Sequence, residues 1–447
     1  MMINSMITIY SGISLDPDVK LELNVSIDGL PLFKSNNLQF WAILINVHDK
    51  PEIPVMVVSI YCGITKPASI EHFLKPFVED LNLLMKNGVE VDGRRVNFKI
   101  RAIIADSPAR AFIKGVANFN SFAGCLKCTT EGIKLQGRVT FLDCNASERT
   151  DEAFRKQMYG DHHKIDSPLL LLDNFDIILQ IIVSDQLHLI DLGVTKRFLI
   201  GLIEGKFGFK KRLSPSTLAQ LSGMLMNIQL SAEIHRKFRS FKDLRHWKGS
   251  EFSSFLFYAS VVCFKSVMSS EQHKHFMLYF CAITLFSSDV YKEHWPLANN
   301  LLQLFVKKYA DIYGPQFVSS NIHNLLHVYK EVKHFGPLYT LSSYKFENLL
   351  QQMKLLLRNG YKCLEQVINR LLEQDEYYVH KKKDSFNYPF IHQRGNIITL
   401  HIREAFCLKY GQRNGWFLTK SGYVCQYINA VSHIKNNQTN FKITAKD

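Results

Sequence analysis

The sequence predicts an α/β protein with a mixed sheet in its first quarter, a long helical stretch through its middle and a strand-like, polar tail. Three observations predict this. Residues 21–63 hold three β-branched and aromatic runs divided by turn chemistry. One segment with helical spacing, 70–88, separates them from a fourth such run at 96–110. From about 168 to 375 the text is mainly helical, with apolar blocks such as FSSFLFYASVVCF and FMLYFCAITLF that suit buried helices.

The elements follow in order. LELNVSID (21–28), LQFWAILINV (38–47) and PVMVVSIYCG (54–63) read as an antiparallel meander, with GLPLFKSNN and HDKPEI as its turns. IEHFLKPFVEDLNLLMKNG (70–88) places Phe73, Phe77, Leu81 and Leu84 on one helical face, tolerates Pro76 in its first two turns and stops at Gly88. VNFKIRAIIADSPAR (96–110) is a strand that ends at Asp106 before a Ser-Pro turn. Three strands, a helix and a fourth strand open a ribonuclease-H-like fold, in which the first and fourth strands are neighbours. Asp28 ends the first and Asp106 the fourth, so the two carboxylates would meet.

The chain divides on this reading into a lead (1–20), the first half of the core (21–114), a loop region (115–165), a mainly helical insertion (166–330), a helical segment completing the core (331–380) and a tail (381–447). No internal repeat or low-complexity tract interrupts it.

Apolar residues at 47% predict a sizeable core and exclude a disordered chain. The net charge of +14 favours a polyanionic partner, and without an apolar run of transmembrane length that partner is nucleic acid rather than a membrane. The N-terminus lacks a basic n-region and a clear cleavage site, and nine cysteines, an odd number, suit reduced thiols inside the cell. Between Lys196 and Lys248 twelve Lys/Arg face only Glu204, Glu233 and Asp243, so +9 of the charge lies in little more than a tenth of the length. Lys210, Lys211, Arg212, Arg236, Lys237 and Arg239 in this run, interleaved with aromatics as in HRKFRSFKDLRHWKG, are candidate phosphate contacts; a solvated helical face is the alternative.

Cys125 and Cys128 form a C-x-x-C, half of a tetrahedral zinc site. His162, His163 and His188 are candidates to complete it, with His323 and His327, four apart on one helical face, behind them; individually these last two read rather as helix-packing or phosphate-contacting residues than as ligands. A C-x-x-C without metal, or one acting in redox, is the alternative. Asp28 before Gly and Asp106 before Ser-Pro would each also serve as ordinary turn formers.

Several blocks together resemble the CACTA (En/Spm-type) DDE transposases, in the form found in animal transposase-domain proteins. They are IDGLPLF around Asp28, ADSPARAFIKGVANFNSFAGCLKC (105–128), GRVTFLD (137–143), SDQLHLIDLGVTKR (184–197) and NIHNLLHVYKEVKHFGPLYTLSSYKFENLLQQMK (321–354). The resemblance runs from residue 21 to about 375, and the order of the blocks makes it specific.

It implies a ribonuclease-H-like core interrupted by an all-α insertion, with Asp28, Asp106 and Glu347 as the acids holding Mg²⁺ or Mn²⁺, and a small zinc-knuckle-like segment. Asp185, with His188, is either an orienting group or the alternative third acid, and Lys354, seven residues after Glu347, would steer a phosphate. The implied reaction is phosphodiester hydrolysis at a transposon end followed by strand transfer into target DNA, in the nucleus, by a protein compatible with a homo-oligomer. Two metal ions about 3.5–4 Å apart need such hard oxygen ligands. Such transposases commonly carry a separate DNA-reading module, and no zinc finger or helix-turn-helix pattern precedes Asp28. Loss of that module, a truncated gene model and binding through the basic helical stretch are all open. A domesticated DNA-binding protein that keeps the fold without the reaction is the rival expectation, and a zinc-stabilised interaction scaffold ranks behind it.

Overall fold

The structure, a computed structural model, describes residues 20–48, 50, 52–91, 94–231, 233–380, 388–403, 406–411, 414–435 and 438–446. All but the last residue of the sequence-derived lead, 1–20, lies outside them. The chain forms two compact units, 1–213 with 264–380, and 214–263 with 381–447. Residues 166–330, read from the sequence as one insertion, are thus shared between both units.

The first unit is built on a curled five-stranded mixed sheet. β1 (Lys20–Pro31), β2 (Gln39–Val47), β3 (Met56–Gly63), β4 (Val89–Val91) and β5 (Arg94–Ile104) lie in the order β3-β2-β1-β5-β4. β1, β2 and β3 pair antiparallel, as the alternating runs and short turns demand, whereas β5 returns parallel to β1. The parallel return needs a crossover, and α1 (Ile70–Asn87) supplies it. Ser69 caps α1 through the His72 amide, and Gly88 ends it at φ +63°, where a Cβ would strike the Val96 carbonyl at 2.6 Å. Ile70, Leu74, Phe77, Val78 and Leu81 of α1 are buried against Val25, Ile27, Ile43, Phe98 and Ile100 of the sheet's core.

After β5 comes α2 (Ser107–Lys114), then the hairpin of β6 (Ile133–Leu135) and β7 (Arg138–Thr140). A π-helical stretch, Gln186–Thr195, runs directly into α3 (Lys196–Glu204), with the Lys196 amide donating to the Asp191 carbonyl five residues back. α4 (Ser270–Phe286) and α5 (Trp295–Tyr313) pack as a pair around Phe276, Tyr279, Phe305 and Tyr309. A continuous helical stretch from Ser320 to Phe335 contains α6 (Ser320–Asn324) and α7 (Val328–Phe335), and α8 (Tyr344–Leu355) follows.

The second unit holds helices Pro215–Asn227 and Gly249–Tyr258 and two antiparallel three-stranded sheets, β8–β10 (Phe390–Arg394, Ile397–Arg403, Phe406–Lys409) and β11–β13 (Trp416–Leu418, Val424–Lys435, Gln438–Lys446). Leu400, Leu408, Tyr427 and Ala430 make its small strand core. Among the described residues no helix is long and apolar enough to cross a membrane.

Candidate functional site

The parallel ladder between β1 and β5 ends at the pair Ser26 and Ile104. Asp28 stands two residues further along β1, which runs on to Pro31, and Asp106 stands two residues past the end of β5, so the register brings both carboxylates toward the same end of the parallel pair. Asp28 accepts a hydrogen bond from the Gly29 amide at 2.7 Å, as a turn-forming aspartate would. Asp106 caps α2 by accepting from the Ala109 amide at 2.7 Å, with Pro108 in the first turn where its missing N–H is harmless. Each aspartate therefore also serves as an ordinary turn former or cap.

Glu347, in the first turn of α8, comes to the same end. Ligand atoms of Asp28, His188 and Glu347 all lie within 4.8 Å of one another. Asp106 is outside that group of three, though its charge reaches Asp28. Burial first, then the charges of Asp106 and Glu347 and the hydrogen bond to Glu347, hold the Asp28 carboxyl well above the usual range, with His188 opposing them. The site thus gathers more negative charge than its side chains neutralise.

His188 lies on the π-helical stretch, its Nδ1 2.5 Å from Asp185 Oδ2 and its Nε2 3.8 Å from Glu347 Oε1. Burial would lower its pKa, but the Asp185 carboxylate, then Asp28 and Glu347, raise it to about 9, so His188 is a cation at neutral pH. Asp185 is fully buried, yet the donors from His188 and Ser343 outweigh that burial and lower its pKa. It accepts from Ser343 N at 3.0 Å, Ser343 Oγ at 2.7 Å and Leu187 N at 3.0 Å. Ser343 precedes α8, and its carbonyl accepts from the Glu347 amide at 2.9 Å. Asp185 therefore orients both His188 and the start of the Glu347 helix.

Arg110, overlooked in the sequence although it stands in the SPAR stretch after Asp106, is buried one turn along α2. It donates to Ile182 O at 3.1 Å and Ser107 Oγ at 2.8 Å. Burial lowers its pKa, against the pull of Asp185, Glu331, Asp106 and Asp28, whose charges reach it.

A second constellation joins Cys125 and Cys128 to His323 and His327. Cys125 Sγ lies 3.5 Å from Cys128 Sγ and 3.4 Å from His327 Nε2, and Cys128 Sγ lies 3.2 Å from His323 Nε2. With Zn–S near 2.3 Å and Zn–N near 2.0–2.1 Å, ligand edges of a tetrahedron are roughly 3.4–3.8 Å; the Cys125–Cys128 and Cys125–His327 edges fall in that range and the Cys128–His323 edge is a few tenths of an ångström short of it, a spacing compatible with zinc. Burial alone would raise the Cys125 thiol; Cys128 and the two histidines outweigh it and hold it well below the ordinary range, ready to bind as thiolate.

This corrects the expected ligand set. His162 and His163 are not part of the group. Fully buried His162 engages the Ala123 carbonyl at 2.7 Å through Nδ1, and burial followed by the Arg149 charge pushes its pKa down to about 3. His163 packs on Phe154, ring centroids 4.6 Å apart, and stacks on Tyr159. His188, the third candidate, belongs to the acid site. The cluster is also no local knuckle, because half its ligands come from the distant helical stretch Ser320–Phe335. Spacing could name two histidines on one face, but only the tertiary fold brings them to the cysteines.

The predicted phosphate contacts divide. Lys210, Lys211 and Arg212 stand exposed in the loop after α3, in the first unit, and Arg236 and Lys237 are exposed in the second. Arg239 is a correction: its guanidinium grips buried Glu251 through Nε at 2.6 Å and Nη2 at 2.8 Å and also donates to His246 O, so a structural contact engages it. Lys354 donates to the Pro31 carbonyl at 2.5 Å, tying α8 to the end of β1.

No protein-family model matches the chain, and no curated protein matches its sequence.

Proposed function

We propose that this chain is a DDE transposase of the CACTA type, with a ribonuclease-H-like core that hydrolyses phosphodiesters at transposon ends and transfers the freed strand to target DNA. One observation carries the reading. Asp28 of β1 stands within ligand distance of Glu347, a glutamate supplied by a helix far along the chain, and the charge of Asp106, two residues past the end of the neighbouring parallel strand β5, reaches Asp28. Ordinary turn chemistry explains either aspartate alone, but not a third acid brought against their mutual repulsion.

The donor set fits hard divalent cations. All three acids offer oxygen, and Asp28 is held in a state that favours its proton, which a cation would relieve. When bound there, Mg²⁺ or Mn²⁺ would activate the attacking hydroxyl and stabilise the leaving oxygen. The chain's own residues do the rest. Asp185 keeps His188 charged and aimed between Glu347 and Asp28, where its Nε2–H is a donor for a non-bridging phosphate oxygen. Arg110, whose charge reaches Asp185, Asp106 and Asp28, moderates the acids. Zinc at Cys125, Cys128, His323 and His327 joins the loop region to the Ser320–Phe335 helices. Exposed Lys210, Lys211 and Arg212 supply phosphate contacts that hold duplex DNA without reading its sequence.

The test is nicking of duplex DNA carrying the element's terminal repeat, with Mg²⁺ or Mn²⁺, by the wild type and by Asp28→Asn, Asp106→Asn and Glu347→Gln. Each variant should lose cleavage and keep DNA affinity. Retention of DNA by a wild type that never cleaves would instead identify a domesticated binding protein, and cleavage at the wild-type rate by any variant removes that acid from the site.

A further inference from the structure

Each half of the Cys/His cluster carries a charged residue that no metal role explains. Lys127 lies inside the C-x-x-C, and Glu331 follows His327 by one helical turn, on the same face as His323 and His327. Their side chains meet in an ion pair at 2.6 Å, 8% and 1% exposed. A pair so deeply buried is weak evidence for stability, because apolar residues of similar volume commonly do as well. What it offers here is direction.

Lys127 Nζ also donates to the carbonyls of Ile178 at 2.5 Å and Leu179 at 3.2 Å. Glu331 accepts from the Val183 amide, 3.0 Å from both carboxylate oxygens, and from the Ser184 amide at 2.8 Å. The next residue is Asp185, which sets His188 and Ser343, and Ser343 begins the helix of Glu347. A run of hydrogen bonds, joined by short backbone segments at Cys125–Cys128, His327–Glu331 and Ser184–Asp185, therefore leads from the Cys/His cluster to the acid site. β5 holds the same segment through Ile103, but at Gln180 and Ile182. Within this run the two amides next to Asp185 rest on Glu331.

We infer that Glu331 is a positioning residue. Paired with Lys127, it fixes the Val183–Ser184 backbone and so the Asp185, His188 and Ser343 set that holds Glu347 toward Asp28. Through this pair the state of the Cys/His cluster bears on how well the acid site binds a divalent cation. The inference rests on reading Asp28, Asp106 and Glu347 as a cation site.

The experiment compares the full chain with Glu331→Gln and with the double variant Lys127→Met/Glu331→Met. Melting temperature, zinc content, amide hydrogen exchange and Mn²⁺ affinity are measured for each. The double variant removes both buried charges and leaves the two amides without an acceptor. It should keep zinc, exchange faster at Val183 and Ser184, and bind Mn²⁺ about tenfold more weakly, the scale of losing an outer partner of a ligand. Glu331→Gln, which keeps an oxygen for one set of donors, should fall between it and the wild type, and decides the matter alone if the double variant does not fold. Variants that match the wild type in both exchange and Mn²⁺ affinity overturn the inference, as does faster exchange spread evenly over the β1–β5 core, which is mere loss of stability. A wild type that binds no Mn²⁺ would defeat the proposed function instead, and selective exchange at Val183 and Ser184 would still decide whether Glu331 fixes that backbone.

Discussion

Asp185 and His188 form one unit, with Nδ1 of the ring 2.5 Å from a carboxylate that water does not reach. Because Asp185 is fully buried, its charge is tolerated only while His188 and Ser343 face it. Asp185→Asn should therefore cost roughly 3–5 kcal/mol of stability, the scale of breaking a buried pair by removing one partner. Denaturant unfolding of the variant checks this, and an unchanged midpoint would show that the histidine is held by something else.

Asp28 should trade stability for function. Its carboxyl is buried and faces Asp106 and Glu347, so the charged form opposes folding whenever no cation is bound. A folded pKa above the unfolded value means that the penalty is absent below the unfolded pKa, grows as pH rises from there toward the folded pKa and is complete above it. Asp28→Asn keeps the shape and an oxygen for the Gly29 amide while removing the charge. In buffer without Mg²⁺ or Mn²⁺ and without chelator, at neutral pH, it should melt higher than the wild type by several degrees, the shift expected of about 1–2 kcal/mol in a unit of this size. A lower melting temperature would mean that the negative charge at Asp28 is already compensated within the chain.

Zinc should be present at about one equivalent per chain and depend on four named side chains. Cys128→Ser or His323→Gln should lose it, and chelation should loosen the loop region together with the Ser320–Phe335 helices, because binding free energy is coupled to folding. His163→Gln should keep it. Elemental analysis of purified, tag-free protein distinguishes these outcomes, and zinc lost from the His163 variant alone would restore the ligand set first expected.

The contrast between the two constellations shows what the sequence made legible. The strands of the meander and the helix after it were readable because β-branched runs and three-to-four spacing reflect which face is buried, as Val25, Ile43 and Phe77 are. Asp28 and Asp106 followed from strand order, a local matter once β5 is known to lie beside β1. β4, three residues long, has too little pattern to be seen. Glu331 and Arg110 were missed because a lone charge in a helix normally means solvent; only the fold reveals that Lys127 and the Val183 and Ser184 amides surround Glu331. The joining of 214–263 with 381–447 likewise depends on contacts between distant segments that no window of sequence contains.

Lys210, Lys211 and Arg212 are adjacent, exposed and of one sign. If all three face duplex phosphates, changing them together to Glu should weaken binding to every DNA sequence alike. The slope of log affinity against log salt should become shallower by about 2.7, at about 0.9 for each phosphate no longer neutralised. Titrations at several salt concentrations check this, and an unchanged slope would make the loop a solvated surface.

His275 of α4 should govern part of the acid stability. It is 3% exposed, donates from Nε2 to the Phe305 carbonyl at 2.8 Å and stacks on the Phe305 ring. Tyr309 and Tyr313 pack on it, and Glu271, Lys274, Lys308 and Asp311 line the cavity beside it. Burial, followed by the Lys308 charge against the Phe305 carbonyl, pushes its pKa down to about 4. An unfolded histidine titrates near 6.5, so between about pH 6.5 and 4 the unfolded chain binds a proton that the folded chain refuses. Stability from this residue is complete above that window and falls as pH drops through it, by about 3 kcal/mol in all. His275→Phe preserves the stacking but cannot titrate. It should lose about 1 kcal/mol at pH 7 for the missing hydrogen bond, yet show a flatter decline between pH 6.5 and 4 than the wild type. Denaturant midpoints measured across that range decide it, since parallel curves for the two proteins would mean that His275 accepts its proton without unfolding.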